Sequence, residues 1–330
     1  MAGAAQPFLV ALAALHMLSA SAACAGPYHP PRDREGHPDL QGVWSNASMT
    51  PLQRPAALKS LVVTPAEAEA WERTGISRFD AENAPLTTAE FAPPPPDQVA
   101  DDAAQWRPHP THLAQIDGQF RSSMIVEPAD GKMPLRPEVR AAARVADAAD
   151  LKGSDNPEDR HFGDRCLLST ISQQPPYMRQ ALQIVQTADH VVLLGEANHD
   201  ARIVRLRDRR RLPASITPWM GDSVGWWDGD TLVVETTNFN PGELWHRTPG
   251  DYVPIGAGAR VVERFTRTAF DTILYRFQVS DPANYTQTWR GEAPIKALAG
   301  RIFEYACHEG NYSMPNILAG ARHDEAAAGR

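Results

Sequence analysis

The chain has 330 residues, a formal net charge of −8, 29 prolines and three cysteines. That length holds one large domain or two modest ones. The mildly acidic balance and scattered basic residues argue against nucleic acid as a partner, and the one basic cluster, Arg207, Arg209, Arg210 and Arg211, reads as a solvated turn.

An apolar run from Phe8 to Leu18 opens the chain, and small residues follow from Ser19 to Ala25. A run that short, ending in the Ala-x-Ala-like sites Ala20-Ser21-Ala22 and Ala23-Cys24-Ala25, is a secretory signal rather than a membrane span. Residues 1–25 are therefore expected to be a signal peptide, with the mature chain periplasmic or secreted and without a membrane span. The segment before the apolar run has no Lys or Arg, which a signal usually carries; the alternative is an apolar N-terminal helix, which Pro27, Pro30 and Pro31 would end at once. Cys24 lacks the leucine three positions upstream that a lipid-anchor cysteine usually has.

Export leaves Cys166 and Cys307 in an oxidising compartment, where two thiols allow one intramolecular pairing. Such a disulfide closes a loop of roughly 140 residues, for which chain entropy gives about 4–5 kcal/mol. The other reading makes Cys307, beside His308 and Glu309, a nucleophile or ligand.

Eighteen of the 29 prolines lie at or before Pro137, with Pro93 to Pro96 in a row. Proline cannot donate to a sheet ladder, so residues 26–120 are expected to form a proline-rich, extended arm with short helices. Thr64-Pro65-Ala66-Glu67 marks one helix start, with an N-cap threonine, proline at the first position and a capping-box glutamate. A second helix is expected from Pro137 to Asp150.

Residues 121–330 read as a β domain. Leu182–Thr187 and His190–Glu196 form a hairpin around Ala188-Asp189, and Trp226 to Val234 forms another with glycine at its turn. Arg260–Arg267 pairs with Thr272–Ser280, where Ile273, Tyr275, Phe277 and Val279 share one face. Tyr285–Arg290 and Arg301–Cys307 complete about ten strands with no helix between them. The predicted fold is all-β with a few helices: an antiparallel meander closed as a lipocalin-like barrel, with a β-sandwich as the alternative. Gly42-Val43-Trp44 resembles the Gly-x-Trp that opens lipocalin-type barrels and favours the barrel.

The segments Trp227 to Phe239, Asn198 to Arg202, Val262 to Arg267 and Tyr305 to Asn311-Tyr312 together resemble a widespread, largely uncharacterised family of exported bacterial proteins. The resemblance runs from Gly42 to about Arg322. It implies export and a bacterial origin and brings no activity, substrate or catalytic residue.

Chemistry must then be read from residue types. His199-Asp200 lies in a short loop between apolar strands, and His308-Glu309 follows Cys307; imidazole titrates near neutral pH, so both are acid/base candidates. Glu235 and Glu263 sit among strands, where a buried carboxylate needs a purpose or a partner. Arg264 and Arg276 could stabilise an anion, or could form cross-strand pairs on a solvated face. Trp245 and Trp289 are candidate ligand contacts, against the alternative of core filling. The set is thus His199, Asp200, His308, Glu235 and Glu263 for catalysis and Arg264, Arg276, Trp245 and Trp289 for substrate.

No metal or other cofactor is expected. His-Glu-x-x-His and Cys-x-x-Cys are missing from the sequence, as are a phosphate-binding glycine loop and a Gly-x-Ser-x-Gly elbow. The pattern suggests cofactor-independent acid/base chemistry, such as elimination, isomerisation or hydrolysis, on a small, partly apolar molecule. The rivals are a periplasmic binding protein without chemistry and an interaction module using the Pro93–Pro96 region. The His199-Asp200 and His308-Glu309 loops are expected at one end of the barrel.

Overall fold

The computed structural model describes residues 28–45, 48–82, 110–142, 156–157, 165–166, 181–196, 199–240 and 253–329. The leader, Pro93–Pro96, Trp245 and the expected helix beyond residue 142 lie outside them. Among the described residues no helix is long and apolar enough to cross a membrane.

Nine strands close into a mixed β-barrel. They are β1 (Gly42–Ser45), β6 (Leu182–Gln186), β7 (His190–Gly195), β8 (Ala201–Arg205), β9 (Asp222–Asp228), β10 (Thr231–Thr237), β11 (Arg260–Ala269), β12 (Thr272–Ser280) and β13 (Trp289–Ala297). The ring is completed by β1, which pairs antiparallel with both β6 and β13. A tenth strand, β5 (Ile125–Glu127), adds to the free length of β13. The barrel, not the sandwich, is the observed solution to the edge problem.

The hairpins read from the sequence form as expected. Thr272–Ser280 lies against Arg260–Arg267, with Phe265 opposite Tyr275 and Glu263 opposite Phe277. The meander is antiparallel except at one seam. There β8 and β9 run parallel and share a single ladder pair, Arg205 with Val224, because residues 206–221 carry the chain back along the barrel instead of turning. Ion pairs hold that return: Arg205 and Asp222 meet at 2.7 Å, and Arg211 bonds the carboxylate of Glu235. The cluster Arg207–Arg211 is therefore part of this crossover.

Two expected strands are corrected. Tyr285–Arg290 and Arg301–Cys307 are not strands; one strand runs instead across Trp289–Ala297, through Gly291 and Pro294. The Glu292 N–H points away from β12, to the Met124 carbonyl, so the Pro294 nitrogen two residues on points to the same side. It falls between the β5 pairing, which reaches Gly291, and the β1 pairing, which begins at Lys296, so no ladder bond is lost.

Large side chains fill the barrel. Trp44, Trp289, Tyr275 and Phe265 are all at or below 2 % exposed, and Trp289 meets Phe277 edge-on with centroids 5.5 Å apart. The Arg267 guanidinium lies over the Trp44 ring at 5.5 Å.

Residues 28–41 close the hairpin end of the barrel. Arg32 pairs with Asp230 at 2.7 Å, His37 stacks on Trp227 at 4.7 Å, and Gln186 donates to Asp33 and to the Pro38 carbonyl. The arm thus supplies β1 and the plug. It also supplies α1 (Pro65–Glu82), which begins at the expected capping box: the Thr64 N–H donates to Glu67 at 2.8 Å and the Glu67 N–H donates back to the Thr64 hydroxyl. That helix packs Ala68 and Trp71 on a small sheet ordered β2 (Val62–Val63), β4 (Gln119–Arg121), β3 (Gln115–Ile116). Residues 137–142 begin α2 at Pro137, as expected, and α3 spans Ser313–Ala327.

Candidate functional site

The end opposite the plug carries the loop between β7 and β8. Asp200 continues the β-pairing by one step, its carbonyl accepting the Gly195 N–H at 3.0 Å. Its side chain therefore shares the inward face with Arg202 and stands at the barrel mouth. His199 occupies the left-handed region at φ 54°, which breaks the strand and turns its ring out of the ladder.

The C-terminal segment crosses this loop. The Phe303 N–H donates to Glu196 Oε1 at 2.9 Å, and the Tyr305 N–H donates to His199 Nδ1 at 3.2 Å. A neutral His199 that accepts at Nδ1 carries its proton on Nε2, so it presents a donor. Two residues on, Cys307 is bonded to Cys166, with Cα atoms 5.7 Å apart. His308 follows directly. Burial pushes the Asp200 carboxyl above the ordinary carboxylate range, and the neighbouring His308 pulls it partly back.

The loops of His199–Asp200 and His308 thus meet at one end of the barrel, with Asp200 within electrostatic reach of His308. Asp200 is half-buried while both histidines are exposed, so the cluster is open to a small molecule. A carboxyl made more basic by burial is a better proton acceptor than a free one, and a ring N–H can steady a developing oxyanion.

Other expected members stand elsewhere. Glu263 does project inward, but it is fully buried and saturated: Arg202 bonds both its oxygens, one at 2.8 Å, and the Tyr275 hydroxyl donates at 3.1 Å. Ser223 and Thr236 hydroxyls, 2.9 Å apart, extend this group beneath the mouth. Burial, and then the Glu263 charge, push the Tyr275 phenol well above its usual value, so it stays a donor. Glu235 is opposite Val262, on the outer face, and is shared between Arg211 and Arg260. Arg276 faces out to its ladder partner Glu292, as cross-strand pairing predicts, and Arg264 faces out and reaches over β10 to Asp228. Trp289 is core. Trp245 lies outside the described residues.

No family model, no curated protein and no solved structure matches the chain. The site must stand on its own geometry.

Two participants escaped the sequence reading. Glu196 accepts from the Phe303 and Ala181 N–H groups, joining the C-terminal segment to the start of β6. Arg202 neutralises Glu263; its signal was its alternation with Val204 on an otherwise apolar strand face. Among the described residues no three His, Cys, Asp or Glu side chains are grouped as metal ligands would be.

Proposed function

We propose that this is an exported protein that acts on a small, partly apolar organic molecule by cofactor-independent acid/base chemistry at the open end of its barrel. His308 and Asp200 exchange the proton, and His199 donates a hydrogen bond to the reacting group. One observation carries the reading: two loops more than 100 residues apart meet there, the backbone N–H of Tyr305 in one donating to the His199 ring of the other. The filled barrel interior supports a substrate at the rim rather than in an enclosed cavity. The disulfide and the signal-like leader support export.

The test is direct. The mature protein is incubated with panels of small esters, lactones and carbonyl compounds bearing acidic α-protons, and consumption is followed by mass spectrometry. Turnover that disappears in Asp200→Asn supports the reading. Saturable binding with no consumption in the wild type overturns it in favour of a binding protein.

A further inference from the structure

His308 owes its place to no hydrophobic packing. From Lys296 to Gly329 every described residue is at least partly exposed, and α3 buries none of its side chains. The large apolar groups of this segment point to solvent: Phe303 is 78 % exposed and Tyr312 73 %. Burial of apolar area, the main force that fixes a segment on a body, is therefore nearly lacking here.

Hydrogen bonds among the described residues tie the segment to the body. The Leu298 N–H donates to the Val43 carbonyl at 2.8 Å, and the Phe303 and Tyr305 N–H groups donate to Glu196 and His199. Such bonds exchange readily for bonds to water. The covalent tie falls directly before His308, at Cys307. Asn311 reinforces it, donating to Cys166 Sγ at 3.3 Å while its own N–H bonds the His308 carbonyl at 3.4 Å. The same Asn311 accepts from the Ser313 hydroxyl at 3.0 Å and the Met314 N–H, joining the disulfide to the start of α3.

We infer that the Cys166–Cys307 disulfide is the positioning element of the His199–Asp200–His308 site, and that opening that bond releases His308 from Asp200. The inference rests on the acid/base reading for its functional meaning, but its geometry is independent of any activity. Reduction by a dithiol balances simply: two electrons and two protons pass to the protein, the S–S bond breaks, two thiols form, and the dithiol closes to its own disulfide. His308 then stands three residues beyond Tyr305 on hydrogen bonds alone, and its local concentration at Asp200 falls towards that of a flexible tether. The barrel strands all end by Ala297, so the body persists.

The experiment is histidine ring NMR on the full mature chain, oxidised and then reduced with dithiothreitol. In the oxidised protein, Asp200→Asn should move the His308 ring resonance. After reduction that resonance should sit at its unstructured position and ignore Asp200→Asn, while the near-ultraviolet dichroism of buried Trp44 and Trp289 is kept. The Cys166→Ser/Cys307→Ser protein should copy the reduced wild type, and reduction in place covers the case in which that variant fails to fold. A His308 signal that still responds to Asp200→Asn after reduction overturns the inference, as does collapse of the tryptophan signal, which would make the disulfide a general staple of the fold. A protein that shows the switch yet turns over no substrate refutes the acid/base reading alone.

Discussion

Arg202 on β8 and Glu263 on β11 face each other inside the barrel, with the two side chains 2 % and 0 % exposed. Neither charge reaches water, and each is the other's counter-ion. Glu263→Gln should leave the Arg202 charge uncompensated and cost about 3–5 kcal/mol in urea unfolding. Replacing both by apolar residues of similar volume should recover much of that loss. A Glu263→Gln protein of wild-type stability would mean that water or another anion reaches Arg202.

His308→Ala separates site from scaffold. The residue is exposed and its segment buries nothing, so the melting temperature should stay within about 2 °C of wild type. Turnover should fall by about 100-fold or more, the usual contribution of a general acid or base. Loss of activity that merely follows the folded fraction would reduce His308 to a structural role.

Asp200 gives a pH signature of defined sign. Its folded pKa is raised above the ordinary value of 3.8, so the native state holds the proton more tightly than the unfolded chain. Stability from this group is full below the unfolded pKa and is lost as pH rises through the folded one. Asp200→Asn should therefore melt higher than wild type at neutral pH, and the gap should close as pH falls below 3.8. Thermal melts from acid to neutral pH measure it, and a variant that melts lower at pH 7 contradicts the burial argument.

Gly291 leaves room for an aromatic ring. A Cβ added there would stand 2.2 Å and 2.5 Å from two atoms of the Phe277 ring. Gly291→Ala should cost about 1–3 kcal/mol by overpacking, and Phe277→Leu in the same chain should relieve part of it. Additive losses in the double variant would place the strain elsewhere.

The cysteines allow a count. Cys166 and Cys307 are bonded, which leaves Cys24 as the third. Thiol titration of the denatured, unreduced protein should find none after removal of the leader and one in the uncleaved chain. Two or more thiols in the processed protein would contradict the disulfide.

Much of this was legible along the chain because it is local. Alternation in Thr272–Ser280 reports a half-buried strand directly, since side chains on a strand change sides at every residue. The Thr64–Glu67 capping box is a four-residue matter, and it forms as read. β13 was misplaced because Gly291 and Pro294 are strand breakers in any local view. Only the gap between its two neighbours makes Pro294 harmless.

The site divides in the same way. That His199, Asp200 and His308 carry suitable chemistry was written in their residue types, whereas which face of β11 points inward, and with it Glu263, was decided by the closed barrel. The identity of Glu263's counter-ion did not follow, because Arg202 lies 61 residues away on a strand that is not its ladder neighbour. Barrel closure decided it by bringing β8 and β11 across one interior, which turned an expected base into half of an ion pair. The sequence by itself determined the main hairpins, the capping box and the stock of titratable groups, since these depend on composition and on contacts a few residues long. Only the tertiary structure decided which carboxylates stay available for chemistry, because solvent access and pairing are set by long-range closure of the sheet and by one covalent tie between Cys166 and Cys307.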